Sequence, residues 1–152
     1  MEPVFEKTLV AGWRDMDYNS HMANTAYLDR AADVRMMYFA ENGFTAADML
    51  RMKIGPVIMK DEIEYFREVH LLQEIRVRLA VAGLAADGSR FMLRNEFTHA
   101  DGTRCAAITS TGGWLDLNMR KLIAPPEPLR VAMAALPKIE GFRELKSSVK
   151  AS

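Results

Sequence analysis

Apolar and polar side chains alternate with a period of two through much of the second half of the chain. Ile75, Val77, Leu79 and Val81 alternate with Arg76, Arg78, Ala80 and Ala82. Phe91, Leu93 and Phe97 alternate with Met92, Arg94 and Glu96. A strand buried on one face produces this alternation. Asp87-Gly88 and Asp101-Gly102 stand between the runs, and Asp-Gly between alternating segments is a strong hairpin signal. Residues 74–116 are therefore predicted to form an antiparallel meander, with 103–115 as its last, more evenly apolar strand. Upstream, Val57, Met59, Ile63 and Tyr65 alternate with Ile58, Lys60, Glu62 and Glu64 and predict one more strand. Residues 4–13 predict the first. Gly112-Gly113 inside a strand points to a bulge or a close backbone approach.

Between the first strand and the second, the period changes. Tyr27, Ala31, Val34 and Tyr38 fall at i, i+4, i+7 and i+11, and Leu28, Ala32, Met36 and Phe39 make a second apolar row. Only Asp29, Arg30 and Asp33 form a strongly polar stripe. A helix apolar over most of its circumference is a buried one, and Asn42-Gly43 supplies its stop. The fold class predicted is α+β: a curved antiparallel sheet wrapped around one long central helix. That unit is expected to span residues 1–124. Beyond Pro125-Pro126, residues 125–152 are expected to be an extension with a short helix over about 127–135 and a frayed, basic tail.

Composition narrows the function classes. The chain has 152 residues, 49% hydrophobic and 26% charged, which suits one globular domain with its own core. Lys+Arg and Asp+Glu are both 20, so no basic excess favours nucleic acid as a partner. The single cysteine, Cys105, allows neither an internal disulfide nor a cysteine metal site. No metal and no cofactor are predicted. Met1-Glu2-Pro3-Val4 lacks the basic start of a secretory signal, and no run approaches the ~18 apolar residues of a membrane span. No membrane association and a cytoplasmic location are expected.

The chemistry concentrates in Arg14–Tyr27. Two carboxylates (Asp15, Asp17), His21, Asn19, Asn24 and Tyr27 stand at the entrance of the buried helix. A helix N-terminus offers free N–H groups and a positive dipole end. Aimed at a carbonyl, one such donor contributes ~2.7–4 kcal/mol to a developing oxyanion. A carboxylate beside it can attack or activate water. On local grounds alone a plain structural reading competes evenly. Asp15 and Asp17 also suit Asx turns and caps. His21 suits packing, Tyr27 suits the core, and Asp29 and Asp33 suit a solvent-facing or interface stripe.

The spacing Asp15-x-Asp17-x-Asn19-x-His21-Met22-x-Asn24-x-x-Tyr27-Leu28, followed by Ala32-Asp33-x-Arg35, resembles the start motif of hotdog-fold thioesterases of the 4-hydroxybenzoyl-CoA thioesterase type. The Asp-Tyr-Asn-x-His-Met-x-Asn form is similar to the thioesterase-superfamily-member-6-like branch. The resemblance covers about residues 4–124. It implies an acyl-CoA thioesterase with Asp17 as nucleophile or general base. It implies that the backbone N–H at Asn24 polarises the thioester carbonyl, that His21 shapes the loop or contacts the thioester, and that Tyr27 supports the pocket. Asp15 is expected to hold the loop. Two positions depart from the motif: Ser20 stands where Gly is usual, and Ala23 replaces an Asn. Asp29 and Asp33 rank below Asp17 as the carboxylate.

For the rest of the substrate, Pro56, Val57 and Met59 are the expected lining of the acyl and pantetheine channel, where an ordinary core strand is the equal alternative. Eleven methionines suit an adaptable pocket or simply fill a core. Arg120 and Lys121, then Arg90 and Arg94, are the candidates for the CoA phosphates, against a solvated surface. The resemblance also implies a homodimer or homotetramer whose sites use both chains. Two other readings stand beside hydrolysis: a non-catalytic acyl-CoA or acyl-carrier binding hotdog protein, and a hotdog hydratase or dehydratase.

Overall fold

The computed structural model describes residues 4–149. Strand β1 (Phe5–Val10) leads through one 3-10 turn (Trp13–Asp15) to helix α1 (Ala26–Glu41). A short helix, α2 (Ala46–Met52), precedes β2 (Ile54–Tyr65), β3 (Glu74–Ala85), β4 (Arg90–His99) and β5 (Arg104–Asp116). Then come β6 (Lys121–Ile123), α3 (Glu127–Ala134) and β7 (Lys138–Leu145). The strands form one sheet in the order β1-β3-β4-β5-β2, with β6 added to β5 and β7 added to β3. Every pairing is antiparallel except β7 on β3. The meander expected over 74–116 is present. Both of its turns put the glycine at positive φ, 75° at Gly88 and 90° at Gly102. That conformation is cheap for glycine and costly for residues with a Cβ.

The inward residues of the meander meet α1. Ile75, Val77, Leu79, Val81, Phe91, Leu93, Phe97, Ile108 and Trp114 are all buried, as are Tyr27, Ala31, Val34, Tyr38 and Phe39 on the helix. Edge-to-face contacts run from Tyr27 to Phe97 and from Phe39 through Trp114 to Phe91. One buried cation joins helix and sheet. Arg35 donates from Nε to Asn95 Oδ1 at 2.9 Å and from Nη2 to Ser110 Oγ at 2.6 Å, and Ser110 in turn hydrogen-bonds Asp61. Burial pushes the Arg35 guanidinium down to about 10, opposed by Asp61.

Three expectations need correction. The helix is not buried all round: Ala32 and Met37 are exposed, and Leu28 and Met36 are only half-buried. The sheet ends at β2, whose inward residues Ile58 and Asp61 are themselves open, so no described residue covers that flank. The tail is not frayed over 138–145. β1 pairs only with β3 residues 74–79, leaving the edge at 81–85 for β7. Lys138–Leu145 escapes a sequence reading because its apolar residues (Ile139, Phe142, Leu145) do not alternate. Residues 11–13 lie outside the first strand, and Trp13 opens the 3-10 turn. α2 and β6, which the pattern did not predict either, are too short to show a period. α2 is fixed instead by reciprocal Thr45–Asp48 capping bonds. No helix among the described residues is long and apolar enough to cross a membrane.

Candidate active site at the entrance of the central helix

Residues 11–25 cross from β1 to α1 as a tight loop. Met16 and Met22 form an isolated antiparallel bridge, so the chain reverses over Asp17–His21. The Asp17 N–H donates to the His21 carbonyl at 3.0 Å, and the Ser20 N–H to the Asp17 carbonyl at 3.2 Å. Asp17 Oδ1 accepts the Asn19 N–H at 2.8 Å, an Asx turn. Ser20 has φ 64°, the left-handed conformation that explains why glycine is usual there. The loop stands on the β2–β3 connection: the Met22 N–H donates to the Val69 carbonyl at 2.7 Å, and the Leu72 N–H to the Ala11 carbonyl at 2.8 Å.

Asp15 holds the base of this loop. Its Oδ2 accepts the Gly12 N–H and Arg30 Nη2, each at 2.8 Å, and its carbonyl accepts the Ala23 N–H at 2.7 Å. Burial pulls the carboxyl up, but the hydrogen bonds from Arg30 and Gly12, with the charges of Arg30 and Arg14, together hold it below its ordinary value. A depressed carboxyl stabilises the fold above its unfolded value of about 3.9 and loses that contribution as pH falls through its folded value. Wild type should therefore lose stability below about pH 4. Asp15→Asn should be less stable at pH 7 and should show a smaller difference between pH 7 and pH 3 in urea denaturation midpoints. An unchanged difference would remove Asp15 from that role.

A cavity of about 430 Å³ opens where this loop meets the helix. Asp17, His21, Asn24 and Tyr27 line one side, and Tyr65, Phe66, Arg67 and Glu68 the other. Asp17 Oδ2 lies 3.7 Å from His21 Nδ1, and His21 Nε2 lies 3.7 Å from Glu68 Oε1. Among the described residues, the backbone N–H groups of Asn24 and Thr25 have no intrachain acceptor. They stand at the N-terminus of the 16-residue helix α1, whose dipole adds to their pull on an anion. Tyr27 is buried, edge-on to Phe97 and Tyr65. Burial pushes its hydroxyl up to about 12, so it stays protonated at neutral pH and supports the wall. Asp17 also borders a second opening of about 720 Å³, with Trp13, Met16, Tyr18 and Leu71. Arrangements of this kind can hold a carbonyl between N–H donors and a carboxylate.

The other candidates lie elsewhere. Pro56, Val57 and Met59 sit at the start of β2, with Pro56 opposite Trp114 and Val57 opposite Gly113. Arg90 is also opposite Gly113, while Lys121 opens β6 opposite Asp116, just after Arg120. None of these lines the cavity at Asp17. Eight residue steps along β2 separate Val57 from Tyr65, about 26 Å at ~3.3 Å per residue. Arg94 is occupied on the outer face, with Glu96 Oε1 at 2.8 Å and Thr109 Oγ1 at 3.0 Å. Tyr65, Phe66, Arg67 and Glu68 were missed. Their one sequence signal is two adjacent aromatics followed by an ion-pair-like Arg-Glu where the strand's alternation stops.

A family model described as the thioesterase-like superfamily matches residues 11–133. A search of curated proteins finds no match. Among solved structures, a hypothetical protein from Staphylococcus aureus in complex with CoA superposes with a TM-score of 0.80 at 20% identity, covering 88% of this chain and 84% of that one. A 1,4-dihydroxy-2-naphthoyl-CoA thioesterase from Synechocystis gives 0.77 at 16% identity over 87% and 96%. A gentisyl-coenzyme A thioesterase gives 0.75 at 17% over 84% and 98%.

Proposed function

From a chain that belongs to the thioesterase-like superfamily and has its hotdog fold, we propose an acyl-CoA thioesterase that hydrolyses an acyl thioester to a carboxylic acid and CoA. The branch proposed is that of the 4-hydroxybenzoyl-CoA thioesterase type, similar in motif to the thioesterase-superfamily-member-6-like proteins. The observation that carries the reading is one cavity shared by the Asp17 carboxylate and the open N-terminus of α1 at Asn24. The N–H groups there take the carbonyl oxygen as charge develops on it. Asp17 attacks the carbonyl carbon or removes a proton from the attacking water, and the thiolate of CoA leaves. His21 holds the Asp17 side of the loop. Cys105 is no rival nucleophile: it is buried, and burial pushes its thiol up to about 11. A free thiol of this kind is also at ease in a reducing cytoplasm.

The test is thiol release from a panel of acyl-CoAs of graded chain length and from aromatic acyl-CoAs. Turnover on at least one supports the reading. CoA-ester binding without turnover favours the non-catalytic alternative, and hydration of crotonyl-CoA favours the hydratase.

A homodimer belongs to the same proposal. Among the described residues β2 is hydrogen-bonded on one side only, and the flank between it and α1 is open. Antiparallel pairing of two β2 edges about their middle would bring Pro56, Val57 and Met59 of one copy beside the Asp17 cavity of the other. Arg90, Arg120 and Lys121 lie at that same end of the sheet and would follow. Light scattering should give at least twice the 17.1 kDa chain mass. A fully active monomer would sink the two-copy site.

A further inference from the structure

Tyr65 closes β2 at an inward position, opposite Ala106. Its ring stands edge-on to Tyr27 with centroids 5.5 Å apart and an interplanar angle of 74°. Tyr27 in turn is edge-on to the buried Phe97 at 5.3 Å, so the ring of Tyr65 rests on a column rooted in the core. From that footing the Tyr65 hydroxyl donates to the Asn24 carbonyl at 2.9 Å. This is a long-range bond, from the end of a strand to the residue before the helix cap.

The bond matters because of the peptide unit it holds. Asn24 and Tyr65 line the same cavity as Asp17. We propose that Tyr65 is a positioning residue for thioester hydrolysis: its hydroxyl holds the Asn24 carbonyl and fixes the peptide plane at the mouth of α1, so that the N–H on the opposite edge of that plane keeps one orientation for an incoming acyl carbonyl. The peptide unit is planar, so holding the carbonyl also holds the Thr25 N–H. A hydrogen bond accepted by the carbonyl polarises the unit and strengthens that N–H as a donor. The role is exercised as charge develops, so it acts on kcat more than on ground-state binding.

This inference rests on the hydrolase reading, and two variants separate them. Tyr65→Phe keeps the ring on Tyr27 and removes only the hydroxyl. It should lower kcat about tenfold, with KM within about twofold and melting close to wild type. Tyr65→Leu removes ring and hydroxyl together and should lose stability as well. In backbone NMR, Tyr65→Phe should move the Thr25 amide resonance well beyond the scatter at amides remote from the site. Full kcat in Tyr65→Phe beside an active wild type overturns this inference alone, as does a loss that appears only in Tyr65→Leu and follows its melting temperature. A wild type that releases no thiol from any acyl-CoA overturns both readings.

Discussion

Asp17→Asn is expected to lower kcat for acyl-CoA hydrolysis by about 10²- to 10⁴-fold, with little change in KM. The substitution is a sharp one. Asn keeps an oxygen that can accept the Asn19 N–H, now held by Asp17 Oδ1 at 2.8 Å. The reversal of the loop depends on the backbone bonds between Asp17, Ser20 and His21, which Asn leaves intact. What disappears is the negative charge and the ability to attack or to accept a proton. The melting temperature should therefore stay close to wild type while turnover collapses.

Full turnover by Asp17→Asn would sink the role assigned to that residue, and the structure then points to other carboxylates. Glu68 is in the same cavity, within 3.7 Å of His21 on its far side. Asp33 is on α1, but its side chain is 54% exposed and 3.9 Å from Arg30, and it does not line the cavity. Glu68→Gln is thus the next variant to assay. Where Asp17→Asn is inactive, a single turnover of wild type in ¹⁸O water distinguishes the two chemistries. Water activation puts the label only in the acid product. Attack by Asp17 forms an anhydride, and water opening it at the enzyme carbonyl leaves label in Asp17.

The strands and the central helix were legible because each carries a long, clean period. The row Tyr27, Ala31, Val34 and Tyr38 is buried, and the inward residues of 75–97 face it. The shared mouth of Asp17 and Asn24 was legible for another reason. Both lie in the nine residues before Ala26, and the Met16–Met22 bridge closes that loop, so local geometry keeps them together. Tyr65 and Glu68 were not legible, because they reach the cavity only through the register of β2 against β5 and the docking of the β2–β3 connection under the loop. Arg35, though named in the motif, kept its role hidden for a similar reason. It stands beside apolar Val34 and Met36 on a helix whose polar stripe is elsewhere, and only Asn95 and Ser110, from two different strands, make it a satisfied core residue. The expected binding residues Pro56, Val57 and Met59 were read on one strand with Tyr65. Nothing in an alternating pattern says that only one of its two ends lines the cavity at Asp17.

Gly112→Ala is expected to cause the largest loss of stability of any single methyl added to this sheet. Gly112 lies on β5 opposite Ile58, beside the irregularity between Ile58 and Lys60 where β2 bulges. A Cβ built there falls 2.1 Å from the Val57 carbonyl oxygen and 3.0 Å from Phe91 Cζ. The first clash is with backbone, which cannot rotate away, and the second with a fully buried ring. β2 must move off β5 to admit the methyl. Overpacking of a core costs about 1–3 kcal/mol, and the rigid partner places this site near the upper end. At about 2–4 °C per kcal/mol for a chain of this size, melting should fall by roughly 6–12 °C, or no folded protein should be recovered. Gly55→Ala on the same strand pair is the control. Its added Cβ meets only Leu117 Cδ2 at 3.5 Å, an ordinary contact, so its melting should stay near wild type. Turnover should follow the same division. A displaced β2 takes Tyr65 and its hold on the Asn24 carbonyl with it, so any folded Gly112→Ala should lose kcat while Gly55→Ala keeps it. A Gly112→Ala protein that melts with wild type would show that β2 gives way at no cost, and that the bulge does not depend on a bare glycine opposite it.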